Sequence, residues 1–142
     1  MTRVSIRPYV PADIEACVHV FDAAWHSGHP YAPRRIDRAA FERETLGERV
    51  LVADVGVPGV VGFVGIYEPS QFIHHLYVDP ARHRLGIGRA LLAEAVALAG
   101  GKASLKCQRR NPSALAFYRH LGWHPGEEGE AETGPWVRMH SP

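Results

Sequence analysis

The run Leu85-Gly86-Ile87-Gly88-Arg89 leads from an extended segment into an amphipathic one, and its residue types suit the holding of an anion. The first turn of a helix leaves backbone N–H groups without partners and carries partial positive charge. Gly86 and Gly88 let a ligand approach those groups closely, which makes a phosphate site out of backbone. Arg82, Arg84 and Arg89 add positive charge around it. Two phosphate signatures fail. A dinucleotide fingerprint needs a third glycine where Leu91 stands, and a Walker loop needs Lys and then Ser or Thr where Arg89 and Ala90 stand. The second reactive group is the pair His74-His75. Imidazole titrates near neutrality and accepts a proton there. Alternation along a strand sends the two rings to opposite faces, so they are not expected to chelate together. His26 and His29 lie in a loop without a nearby Cys or acidic partner, and no C-x-x-C and no helical H-x-x-x-H occurs, so no metal site is expected. Cys17 and Cys107 fall in apolar-patterned segments and are expected as buried free thiols.

The elements that must position these residues follow from periodicity. Val4–Arg7 reads as a strand ended by Pro8. Asp13 is placed to cap a helix with Ile14, Cys17, Val18, Phe21 and Trp25 on one stripe. A loop covers His26–Arg35, and a short helix starts near Asp37 with Ala40, Phe41 and Leu46. Three strands follow, Val50–Val55, Val60–Tyr67 and Gln71–Val78, antiparallel by their short connections. The glycines inside the second, Gly62 and Gly65, predict a bulge or a close backbone approach. After Asp79-Pro80 and the glycine turn, Leu91, Leu92, Ala95, Val96 and Ala99 mark one helix face, ended by Gly100 and Gly101. Ala103–Cys107 is a strand parallel to the third, reached by a crossover. Asn111-Pro112 opens a last helix with Ala114, Phe117, Tyr118 and Leu121 on one face, ended by Gly122. Trp123–His124 and Trp136–His140 read as final strands, with an acidic exposed loop between them. With 142 residues and a formal net charge of +1, one domain over 1–142 is expected, with no pull toward nucleic acid or membrane. No signal peptide and no membrane span are read, so a cytoplasmic domain is expected.

Val78, Pro80, Gly86, Ile87, Gly88 and the Ala90-Leu91-Leu92 helix start resemble motif A of the GNAT superfamily of N-acetyltransferases. His83 departs, because the family favours Gln or Arg there. Asn111, Ala114, Phe117, Tyr118, Gly122 and Trp123 are similar in identity and spacing to the family's motif B. The element order is that of the GNAT fold, so the resemblance covers nearly the whole chain. It implies an α/β (α+β) fold: a mixed, mostly antiparallel sheet of six to seven strands flanked by about four helices. It also implies acetyl-CoA (coenzyme A) as donor, its pyrophosphate held by His83, Arg84, Leu85, Gly86, Ile87, Gly88 and Arg89, mostly through backbone. Leu76, Tyr77 and Val78 would offer backbone groups to pantetheine and N–H donors to the oxyanion that develops on the acetyl group. Asn111 would bond the pantetheine arm.

Within that resemblance Tyr118 is the general acid. A phenol of reference pKa about 10 can protonate a thiolate whose acid has pKa about 8.5. An alkyl ammonium must lose a proton before it attacks, and His74 matches one of two relay histidines of the arylalkylamine members. The other falls on Phe72, which departs. Glu68 and an ordered water are alternative bases. The family's acceptor wall corresponds to Phe21 and Trp25 with the loop 26–35, giving Trp25, His26 and Tyr31 as candidate acceptor contacts. Arg34 and Arg35 suit an anionic acceptor, whereas the acidic 127–132 segment suits a cationic one, so the acceptor is left as a small-molecule or peptide amine. Two alternatives stay open: a longer acyl donor, and a non-catalytic acyl-CoA-binding sensor. A homodimer is compatible with the family.

Overall fold

The computed structural model describes residues 4–83 and 85–142. The apolar run of Val60–Tyr67 is strand β3, buried from Val61 to Ile66 because both of its faces are covered. Around it lie β1 (Ser5–Pro8), β2 (Arg49–Asp54), β4 (Phe72–Val78), β5 (Ser104–Gln108), β6 (His124–Ala131) and β7 (Gly134–His140). They form one seven-stranded sheet in the order β1-β2-β3-β4-β5-β7-β6, in which β4–β5 is the parallel pair. Helices α1 (Ile14–Gly28) and α2 (Arg38–Glu44) contribute to one core, where Cys17, Val20, Phe21 and Phe41 meet Val52 and Phe63. Helices α3 (Ile87–Leu98) and α4 (Pro112–His120) serve the other, where Leu91, Leu92, Ala95 and Tyr118 meet Val64, Leu105 and Met139.

Two features of β4 position everything that follows. The first is a splay. β4 pairs with β5 only at Phe72↔Ser104 and Ile73↔Leu105, and beyond those residues the strands diverge. The β5-facing backbone groups of Leu76–Val78 therefore have no ladder partner among the described residues. The second is a bulge. Against β3 the register runs Gly65↔His75 and then Ile66↔Ile73, so His74 is the extra residue.

The bulge overturns the expected alternation of the two histidines. A regular strand sends neighbours to opposite faces, but the inserted residue breaks that count, and the rings of His74 and His75 lie 4.0 Å apart, centroid to centroid. Three smaller expectations also change. Asp13 does not cap α1 with its side chain; it accepts from the Val10 N–H at 2.9 Å and from both guanidinium ends of Arg7. Leu46 lies beyond α2 and is exposed. Most of the acidic segment is not loop but strand β6, an exposed edge of the sheet whose Gly and Glu residues hide the period of a strand.

Candidate functional site

The upper end of the splay is closed by the first turn of α3. Gly86 precedes it at φ +76°, in the left-handed region where glycine is at home, and no side chain caps the turn. Nothing lies within 4 Å of where a Gly86 Cβ would stand, so the entry to the helix is open on that side. A Cβ on Gly88 would sit 3.4 Å from Phe117 Cζ and 3.6 Å from Val78 Cγ2, so the end of β4, the start of α3 and the inner face of α4 meet there. His83, Leu85 and Arg89 are exposed around the turn, whereas the Ile87 side chain is in the core and leaves only its backbone to a ligand. Arg84 lies outside the described residues.

Tyr118 reaches the splay from α4. It is buried beside Cys107 of β5 and Tyr77 of β4, and burial above all pushes its phenol well above the usual range, with Cys107 and Tyr77 adding to the shift. It stays a protonated donor at any neutral pH. Asn111 caps α4, its Oδ1 accepting from the Ala114 N–H at 3.2 Å, while its Nδ2 faces Gly28 at the end of α1. One side chain thus serves both the cap and the contact across the cleft.

The opposite wall comes from α1 and the loop after it. The Tyr31 hydroxyl is buried without a hydrogen-bond partner, its ring lies under the Arg110 guanidinium at 5.7 Å, and Cys107 is among its charge neighbours. Trp25 is spent on packing: it stacks on His29 at 3.9 Å, lies under Arg34 at 4.6 Å and donates its indole N–H to the Ala32 carbonyl at 2.7 Å. His26 is exposed and bonded to the Asp22 carbonyl of its own helix. Of these three acceptor candidates the structure brings only Tyr31 toward the cleft.

At the foot of the splay stands a constellation that joins His74 and His75 to two carboxylates which no local pattern marks. Glu48 accepts from His74 Nδ1 at 2.6 Å through one oxygen and from His75 Nδ1 at 2.9 Å through the other. Its side chain is 5 % exposed, that of His75 2 % and that of His74 46 %. Glu44 Oε1 lies 3.6 Å from His75 Nε2, and Arg34 pairs with Glu44 at 2.6 Å. Gly65 makes the arrangement possible, because a Cβ there would collide with Glu48 Oε1. Burial disfavours the charge on His75, but Glu44 and Glu48 outweigh it and hold its pKa above the ordinary value. The same contacts hold both carboxyls below theirs against their own burial, His74 and His75 acting on Glu48 and His75 and Arg34 on Glu44. Tyr77, stacked on Phe21 at 4.6 Å, continues this wall toward the cleft. Glu68, the second candidate base, pairs with Arg49 at 3.1 Å on the surface.

Comparison with known proteins bears on the family and the fold. Residues 14–123 match the model of the acetyltransferase (GNAT) family. The chain is 32% identical over 128 residues to N-alpha-acetyltransferase RimI of Mycobacterium tuberculosis, covering 84% of this chain and 78% of that one. It is 30% identical over 129 residues to protein ML0378 of Mycobacterium leprae, covering 84% of this chain and 34% of that one, so it spans about a third of that relative's length. Among solved structures, a GCN5-related N-acetyltransferase from Rhodopseudomonas palustris superposes with TM-score 0.82 at 20% identity over 99% and 96% of the two chains. The yncA protein of Salmonella typhimurium, a putative acetyltransferase solved with its cofactor acetyl-CoA, gives TM-score 0.74 at 20% identity over 96% and 92%.

Proposed function

Because the chain belongs to the acetyltransferase (GNAT) family, we propose that it moves an acetyl group from acetyl-CoA to a primary amine of a small molecule or peptide by direct attack. The observation that carries this is the splay, with its unpaired β4 edge leading to an uncapped helix start at Gly86. The fit to the donor is chemical. A pyrophosphate suits the open N–H groups at Gly86–Arg89, and an extended pantetheine suits an unpartnered strand edge. Bound acetyl-CoA supplies the activated acetyl group and a thiolate leaving group.

The chain's own residues do the rest. Leu76, Tyr77 and Val78 present backbone N–H groups where negative charge develops. Tyr118 holds a proton on its hydroxyl, burial keeps it there at neutral pH, and the hydroxyl donates toward the thiolate as it leaves. Glu48 holds the Nδ1 hydrogen of His74, which leaves Nε2 as the atom that accepts the acceptor's proton. Glu48 is thus a positioning residue for His74. Tyr31 and Tyr77 line the acceptor side.

Calorimetric titration with acetyl-CoA, repeated with dephospho-CoA and NAD, tests the donor. Micromolar binding of acetyl-CoA alone is expected, followed by thiol release with peptides bearing free N-termini or with small amines. The name of the RimI relative puts peptide α-amines first in that screen. Failure of acetyl-CoA to bind would overturn the proposal. Binding without turnover across the whole amine panel would favour the sensor.

A further inference from the structure

We propose that Glu48, His74 and His75 form a site for one divalent transition-metal ion of the zinc class. Three donor atoms, one from each residue, lie within 4.8 Å of one another. His74 Nδ1 stands 2.6 Å from one Glu48 oxygen and His75 Nδ1 2.9 Å from the other, so the carboxylate lies between the two imidazoles. Donors at about 2.0–2.2 Å from a tetrahedral ion stand about 3.3 Å apart, a spacing that small shifts of the three side chains reach. Two imidazoles and a carboxylate are a zinc-type donor set that leaves a fourth position for water. The half-exposed His74 gives the ion a way in.

The surroundings of His75 suit a cation. The ring faces a carboxylate from each nitrogen, Glu48 at Nδ1 and Glu44 at Nε2. Nε2 is buried, without a hydrogen-bond partner, and lies toward Glu44. With the ion on Nδ1, the hydrogen of the neutral ring moves to Nε2 and points at Glu44. That places a carboxylate behind the metal-bound histidine, the arrangement that orients such ligands and strengthens them. The Glu48 oxygen occupies the space that a side chain at position 65 would take.

The site itself does not depend on the transferase activity, but one consequence rests on the proposed role of His74: an ion on that imidazole removes the proton acceptor, so occupancy suppresses turnover. The test begins with binding. Full-length protein freed of metal by chelator dialysis is titrated with Co2+, followed by visible absorption and calorimetry, and then with Zn2+ as competitor. One Co2+ per chain is expected, with the intense absorption of a low-symmetry tetrahedral site and displacement by Zn2+. His74→Ala, at the half-exposed ligand, should leave the fold intact by circular dichroism and weaken binding about 100-fold. Glu44→Gln should weaken it about tenfold. Ring 15N shifts should report the Nε2–H form of His75 with metal bound. No uptake of Co2+, uptake unaffected by His74→Ala, or a His75 that stays doubly protonated in the presence of Co2+ would each overturn the site. Metal binding without inhibition would keep the site and remove His74 as base.

Discussion

At the scale of residues, Tyr118 is the atom-level commitment of the cleft. Tyr118→Phe removes one oxygen from a buried ring and changes little in packing, so acetyl-CoA affinity by calorimetry should hold while kcat falls about 100-fold. Wild-type turnover in that variant would remove Tyr118 as the acid. Gly65 carries a prediction of the opposite kind. A methyl there displaces the Glu48 carboxylate from between two imidazoles, so Gly65→Ala should lower stability by about 1–3 kcal/mol, read from the urea midpoint. The role proposed for Tyr118 rests on the spacing from Asn111 to Trp123, a local signal. No such signal marks Glu48, which stands 26 residues from His74 and meets it only because β2 and β4 both flank β3.

At the scale of elements, the β4–α3 turn separates two uses of glycine. Gly86 is needed for its backbone, since φ +76° strains any residue with a Cβ, whereas Gly88 is needed for its absent side chain. Gly86→Ala should therefore lower stability by about 1 kcal/mol as well as acetyl-CoA binding. Gly88→Ala meets only ordinary contacts from Phe117 and Val78 in the free protein. It should fold as well as wild type yet bind acetyl-CoA at least tenfold more weakly, and equal affinity would show that the ligand does not approach this turn. The turn and its two flanking elements were legible because glycine spacing and the 3.6-residue period are local signals. The bulge was half legible: Gly65 announced it on β3, but its effect falls on β4, where nothing in Phe72–Val78 marks it. Strand β6 was legible only at its start, where Trp123–His124 reads as a strand, because the rest is an exposed edge with no buried face to impose alternation.

At the scale of the whole molecule, Arg7 ties the outer edge of the sheet to the start of α1, bonding Asp13 and Asp54 at 2.9–3.2 Å. The Arg7 guanidinium chiefly, helped by the Val10 N–H, holds the Asp13 carboxyl below its ordinary value, and the Gly56 N–H chiefly, with Arg7, does so for Asp54. A depressed carboxyl stabilises the native state above the unfolded pKa of about 3.9 and loses that contribution as pH falls toward the native value. Between pH 5 and 2 the urea midpoint of the wild type should accordingly fall more steeply than that of Asp13→Asn. Cys17 and Cys107 stand on opposite faces of the sheet, and burial pushes both thiols up to about 12. Both should react with a disulfide reagent at pH 8 only as fast as the protein opens. That opening has a built-in seam. With two residue pairs joining β4 to β5, the sheet is in mechanical terms two plates, β1–β4 and β5–β7, riveted at one corner and gaping at the other. A molecule lodged in the gap would act as the missing rivet. Saturation at 100 times Kd adds about 2.7 kcal/mol to any protein whose ligand ignores the unfolded chain. Here the slowing of amide exchange should concentrate on β4 and β5, on either side of the seam, with β1 and β6 at the outer edges little changed.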